Sequence, residues 1–336
     1  MIETNIKKRK NIEKFRGSKA NSVLNIIKKF REINLIIIII LIGILMTILS
    51  PVFMTWQNIS SVLMSFATDS IIVIGMTIIL IGGEIDLSVA SVTAFAGVLA
   101  GKMFLGGMSP WLASAITLVV CAFIGAIMSY FYTKIKLSSF ITTVGGMVIV
   151  RGLCYVISKG TPLSLYTMPA SFKFLGQGKI GLMPFVVILF FIIVVFSDLM
   201  ARNSTVMRKV YYVGSNEKAA KFSGINTNKI KLGVGTLCSF LAGLAGIIYM
   251  SKFGAGIPGA SGGFELTAIS AVVIGGGSLS GGKGSILGSI LGLALLSIIQ
   301  NAMILLAINV YYQQLAMGCI LLLAVTLDQL SQRRAL

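Results

Sequence analysis

The chain contains no histidine among its 336 residues. That removes the commonest general base and the commonest metal ligand, and with them a serine–histidine triad and a hydrolytic metal centre. Cysteine is nearly as scarce. Cys121, Cys154, Cys238 and Cys319 fall singly inside apolar runs with no C-x-x-C pair, which reads as four core residues with neither a metal nor a disulfide role. Charge is the third shortage: 11% of residues are Asp, Glu, Lys or Arg, against about a quarter in ordinary soluble domains. With 56% hydrophobic residues and a mean hydropathy of +0.95, the chain reads as an all-α polytopic membrane protein in the lipid bilayer. Acids are few beside the 28 Lys and Arg, yet the net charge of +18 does not point to nucleic acid. Ten basic residues precede position 32 and seven lie between 202 and 231, with no aromatic-interleaved basic patch. That clustering is a topology signal, placing both stretches on the cytoplasmic side.

Taken in order, residues 1–32 form a basic cytoplasmic segment. Val23, Ile26, Ile27 and Phe30 share one helical face beside Lys28, Lys29 and Arg31, the pattern of a helix lying on the membrane surface. The charged leader is too long for a signal peptide, and no small-x-small cleavage site follows the apolar run. Ten apolar segments follow within a transmembrane domain over 33–329: 33–50, 59–81, 88–104, 111–133, 139–158, 182–200, 231–251, 266–274, 284–306 and 311–328. The 266–274 segment, after Glu265, is too short to cross a core about 30 Å thick and reads as a half-helix. It is nevertheless counted as crossing. Otherwise the tail, 330–336, with Arg333 and Arg334, would end outside, against the charge rule. Both termini are therefore expected in the cytoplasm of a multi-pass plasma (inner) membrane protein. The six prolines and two tryptophans all fall in or near outer segments, and 159–181 is the longest outer loop.

Several polar interruptions stand out against this background. Asp69 lies mid-span, where an ionisable group is costly. Two readings stand: a residue of a substrate path, or a structural aspartate bonded near Thr68 and Ser70. Arg151 sits close enough to the outer end of its span to snorkel, and pairing with Asp69 is the other option. At 82–88, GGEIDLS must break the helix, with Asp86 or Ser88 capping the next one. A tight polar turn and a discontinuous helix lining a translocation path both fit Gly82, Gly83, Glu84, Asp86 and Ser88. The same pattern recurs, since IILIGGEIDLS at 78–88 aligns with AVVIGGGSLSG at 271–281, placing Gly275 and Gly276 opposite Gly82 and Gly83. An internal repeat with matched helix breaks points to the site of translocation. Two nucleotide-binding look-alikes fail. Gly254, Gly256 and Gly259 lack a soluble strand–turn–helix setting, and Gly277 to Lys283 is followed by Gly284 where a phosphate loop needs Ser or Thr.

The interior segment 202–231 is polar and basic, so it must sit in water. Within it Asn216 is placed to cap a short helix, Glu217 suits its positive end, and Gly224 stops it. An exposed helix with an alanine face has a shape that docks into a partner's groove; an ordinary connecting loop is the plainer reading. Gly214, Asn216, Glu217, Ala219, Ala220, Ser223, Gly224 and Ile225 reproduce a G-x-N-E-x-A-A-x-x-S-G-I loop. With GGEIDLSVAS at 82–91 and FELTAISAVVIGGGSLSGGKGS at 264–285, the chain resembles the transmembrane permeases of ribose-type ABC importers over most of its length after about residue 50. The resemblance implies a non-enzymatic subunit for a small sugar, a pentose, hexose or related polyol. It also implies a cytoplasmic ABC ATPase docked on Asn216–Ile225, a sugar-binding protein outside, and a second permease subunit, identical or not. No catalytic residue, metal or cofactor is expected in the chain itself. The competing class is an ion-coupled secondary transporter using Asp69, Glu84 or Asp86.

Overall fold

The computed structural model describes residues 31–333; the surface helix expected before residue 32 lies outside them. Thirteen α-helices make up nearly all of the described chain: α1 (Arg31–Leu49), α2 (Trp56–Ile81), α3 (Val89–Leu105), α4 (Pro110–Tyr130), α5 (Ser139–Ser158), α6 (Ala170–Gln177), α7 (Phe185–Asn203), α8 (Thr205–Ser215), α9 (Glu217–Phe222), α10 (Thr227–Phe253), α11 (Phe264–Ile274), α12 (Ile286–Leu305) and α13 (Val310–Arg333). Seven of these (α1, α2, α4, α5, α7, α10 and α12) are long and apolar enough to cross a membrane. Shorter apolar helices occupy Val89–Leu105, Phe264–Ile274 and Val310–Thr326. Each of the ten apolar segments read from the sequence is thus one helix, and the all-α polytopic reading holds.

Local chemistry sets where these helices begin and end. Thr55 caps α2 by accepting from Asn58 N, Pro110 opens α4 at its first position, and Asn226 Oδ1 takes Lys229 N at 3.0 Å to start α10. Because Asn226 caps, α10 begins a turn earlier than expected, and Lys229 and Lys231 become helical rather than loop residues. Helix α4 closes through a π-turn, Phe131–Ile135, ended by Lys136 in the left-handed region.

Helix α10 is the axis of the bundle, packed by α2, α3 and α4. Its contact face carries small residues, among them Gly235, Ala242, Gly243, Ala245 and Gly246, which let neighbouring backbones approach closely where lipid gives no hydrophobic drive. The segment read as the longest outer loop, 159–181, is tied down at several points. Leu163–Ser164 pairs antiparallel with Ala255–Gly256, and Lys179–Ile180 with Met183–Pro184. Helix α6 buries Phe172 edge-on to Trp111, and Gly176 N donates to Ser251 Oγ at 2.9 Å. Three cysteines are core residues as read from the sequence, whereas Cys319 is exposed on α13.

Candidate functional site

Helix α2 ends where two glycines interrupt an apolar run. Gly82 N donates to Ile78 O, Gly83 N to Leu80 O and Glu84 N to Ile79 O, with Gly83 at φ +80°. At the end of α11, Gly275 N donates to Ala271 O, Gly276 N to Val273 O and Gly277 N to Val272 O, with Gly276 at φ +99°. Every donor and acceptor in the second set lies 193 residues after its counterpart, as Gly275 does after Gly82. The sequence repeat is therefore a repeat of backbone conformation. Glycine at the second position of each pair follows from the positive φ, which would cost any other residue about 1–2 kcal/mol.

Beyond the first break the expected cap is absent. Asp86 Oδ1 accepts from Ser88 N at 2.8 Å and from Ser88 Oγ at 2.5 Å, and Ser88 makes no cap bond to α3. Its hydroxyl is already engaged by the aspartate, which closes a local Asx turn instead. Both side chains are buried.

The 202–231 segment holds two helices where one was expected. Ser204 Oγ caps α8 by accepting from Val206 N and Met207 N, and α8 buries Met207, Val210 and Val213 while presenting its charges outward. Its start signal and its three-residue apolar spacing are both present in the sequence. Asn216 Oδ1 caps α9 through Ala219 N at 3.0 Å, Glu217 stands in the first turn, and Gly224 ends the helix at φ +81° with Ile225 N donating to Ala220 O. Ala220 is buried beneath this short helix; Ala219 and Ser223 are exposed on it, and Ile225 is half-buried.

Two structures join α9 to the helix breaks. The first is a backbone junction. A Cβ built on Gly214 would overlap Ile81 O and lie 2.7 Å from Gly282 N, while Gly282 N donates to Ile81 O at 2.9 Å. A Cβ built on Gly281 would lie 2.8 Å from both Gly83 Cα and Gly214 O, and Tyr211 Oη donates to Gly284 O at 2.8 Å. Three chain segments, the end of α2, the end of α8 and the loop after α11, therefore meet without side chains between them. The second structure is an ionic clasp. Lys231 Nζ lies 2.6 Å from Glu84 Oε1 and 2.6 Å from Glu217 Oε2, and Thr227 Oγ1 donates to Glu217 Oε1 at 3.2 Å. Lys231 and Glu84 are each 13% exposed and Glu217 39%. The Lys231 ammonium beside it holds the Glu217 carboxyl below its ordinary range.

Asp69 stands apart from these, thirteen residues and so roughly 20 Å along α2 from Gly82. It accepts a hydrogen bond from the Tyr249 hydroxyl. The expected local partners are not used: Thr68 and Ser70 hydroxyls return to Met64 O and Phe66 O of their own helix. Arg151 does not pair with Asp69: its Nη1 donates to Pro258 O at 2.7 Å and Ala260 O at 3.0 Å. Asp69 and Tyr249 line a cavity of about 660 Å³ bounded by α2, α10, α11, α12, α13 and the 257–263 loop. Of the residues singled out in the sequence, Gly82, Gly83, Glu84 and Glu217 converge on one locus, Gly275 and Gly276 lead into it, and Asp86 and Ser88 lie just past it. Gly281, Lys231 and Tyr249 complete the two sites and were not singled out, and Gly214, read only as the first residue of the loop motif, proves to be the close-approach position.

The chain is similar to known proteins along most of its length. A family model described as a branched-chain amino acid transport system/permease component matches residues 58–325. The ribose import permease protein of Escherichia coli (strain K12) is 36% identical over 89% of this chain and 94% of its own length. The ribose import permease protein of Bacillus subtilis (strain 168) is 34% identical over 85% and 89%, and the xylose transport system permease protein of Escherichia coli (strain K12) 30% over 84% and 87%. No solved structure matches the chain.

Proposed function

The chain belongs to the ribose-type permease family of ABC importers, and from that premise we propose that it couples ATP hydrolysis by a partner ATPase to inward transport of a small sugar. The segment Asn216–Ile225 is the docking helix, taking a cleft of a cytoplasmic ABC ATPase. A second permease subunit completes the path, and a sugar-binding protein delivers solute on the opposite face. Both termini lie in the cytoplasm of the plasma (inner) membrane. The observation that carries this reading is a pair of attachments: the Lys231 clasp ties α9 to Glu84 at the first helix break, and the Gly214 junction seats the end of the preceding α8 against Ile81 and Gly282. Movement of the docking helix and of α8 before it would thereby be passed to the end of α2 and to the loop after α11, the elements that ATP-driven closure would have to bias. The family model's description names branched-chain amino acids, and the relatives' names are ribose and xylose. The relatives match over nearly the whole chain, and the solute is therefore read as a ribose-like pentose, a hexose or a related polyol.

The ion-coupled alternative has less support in the geometry, since Glu84 is engaged by Lys231, Asp86 by Ser88 and Asp69 by Tyr249. Uptake in proteoliposomes with and without the ATPase separates the two. Transport by this chain alone in a proton or sodium gradient overturns the proposal; strict dependence on the ATPase and ATP supports it. In the same assay Glu217→Lys and Gly224→Trp are expected to leave the protein in the membrane but uncoupled, and normal transport by both would remove the docking role.

A further inference from the structure

We propose that the cavity around Asp69 is a transit site for one neutral polyhydroxylated solute, with the Asp69 carboxylate and the side-chain amides facing it as its polar contacts. The inference rests on the permease reading above and assigns the residues that touch the solute.

The volume, about 660 Å³, falls within the range that holds small-molecule ligands. Asp69 is half-buried in the middle of an apolar helix, where an acid is retained against a cost and faces a bundle interior or a cavity. One of its oxygens takes the Tyr249 hydroxyl; the structure shows no hydrogen bond at the other, and the residue lines the cavity. Gln300 and Gln314 face the same space from α12 and α13 and are exposed within it. The rings of Tyr249 and Phe253 stack at 5.6 Å and nearly parallel, and both line the wall, adding apolar surface beside the aspartate.

The charge of the lining selects the solute. Among the described residues, Asp69 is the one Asp or Glu on the wall, and no lysine or arginine lines it. Lys252 stays outside the lining, its Nζ over the Tyr249 and Phe253 rings at 6.0 and 5.4 Å and donating to Ser65 Oγ at 3.1 Å. An anion would meet the aspartate, and the carboxylate of an amino acid would find no cationic partner. A polyol instead donates hydroxyl protons to Asp69 and exchanges hydrogen bonds with the two amides. The cavity lies toward the end of the bundle opposite the helix breaks, bounded there by the 257–263 loop. On the other side the backbones of α11 and α12 close it, touching at Gly275 and Gly288. A solute entering past that loop would thus stop on Asp69, short of the junction that α9 controls.

The test uses the full chain in lipid nanodiscs, with Cys319→Ser to remove the exposed thiol and Gln300→Cys as reporter. The rate of methanethiosulfonate labelling is measured with D-ribose, D-xylose or L-leucine present. Labelling slowed severalfold by a sugar and not by leucine is expected, and the half-protecting concentration should rise about tenfold or more with Asp69→Asn, the loss of one charge-assisted hydrogen bond. Gln314→Leu, an exposed position that leaves packing alone, should weaken protection as well. Protection by leucine alone, no protection by either sugar, or protection indifferent to both substitutions would overturn the site. ATP-dependent ribose or xylose uptake by the assembled importer is scored separately. If it persists without protection, only this site is wrong; if it is absent from the wild type, the sugar reading itself fails.

Discussion

Replacing Lys231 by glutamine withdraws the cation that Glu84 and Glu217 share, and the structure fixes how unequal the two halves of that loss are. The Lys231–Glu84 contact is 2.6 Å between side chains only 13% exposed. Removing one partner of such a pair leaves an uncompensated carboxylate largely out of water, at a cost of about 3 kcal/mol or more. The Lys231–Glu217 contact is equally short, but Glu217 is 39% exposed, so solvent screening cuts its share to at most about 1 kcal/mol. The expected order of destabilisation is Lys231→Gln first, Glu84→Gln second and Glu217→Gln last. Thermal unfolding in detergent can be followed by thiol-reactive dye, since Cys121, Cys154 and Cys238 are buried and react only on opening, once Cys319→Ser has silenced the exposed thiol. In a double-mutant cycle, Glu84→Gln combined with Lys231→Gln should be less harmful than the sum of the two, by roughly 0.5–3 kcal/mol. Additive effects, or Lys231→Gln no worse than Glu217→Gln, would refute the clasp. If the clasp also transmits motion, Lys231→Gln hydrolyses ATP in the assembled importer with less sugar moved per ATP than the wild type.

Two further outcomes follow from the same locus. Gly214→Ala places a methyl group against Ile81 O and near Gly282 N, backbone atoms that no rotamer change can clear. Overpacking of this kind costs about 1–3 kcal/mol, so Gly214→Ala should lower the thermal unfolding midpoint and reduce uptake per folded molecule. Gly233→Ala, where a Cβ meets nothing within 4 Å, should stay near wild type, and equal behaviour of the two would disprove the junction. The second concerns pH. Because Lys231 depresses the Glu217 carboxyl in the folded state, its contribution is fully present above the ordinary glutamate pKa of about 4.3 and is lost as pH falls through the lowered folded value. Glu217→Gln should therefore flatten this part of the acid limb of the stability profile measured from about pH 7 to about pH 3, and an unchanged limb would count against the pairing.

How much of this was legible in the sequence follows from how local each feature is. The apolar spans, the Asn216 cap, the stop at Gly224 and the two glycine breaks are set by residues within a turn of one another, and each stands where it was read. Lys231 was not recognisable, since a lysine in a basic segment looks like a topology charge until the fold brings Glu84 to it. Gly214 resembled a turn former because the neighbours that forbid a side chain there, Ile81 and Gly282, come from elsewhere in the chain. Asp69 showed only that it was anomalous, its partner Tyr249 being 180 residues away.

The repeat carries one more distinction, between conformation and chemistry. The two breaks share their hydrogen-bond pattern residue for residue, but Glu84 and Asp86 in the first correspond to Gly277 and Leu279 in the second. The first break therefore has a carboxylate for Lys231 to hold, and the second has none at that position. The loop after α11 is fastened instead through Gly282 N to Ile81 O and by backbone contact with Gly214. Under the proposed coupling, a displacement of α8 and α9 would act on the end of α2 through the Glu217–Lys231–Glu84 charges and on the loop after α11 through packing at Gly214. Equivalent backbones receive the same motion by unequal links, so substitutions at the first break should alter transport through electrostatics and those at the second through steric fit.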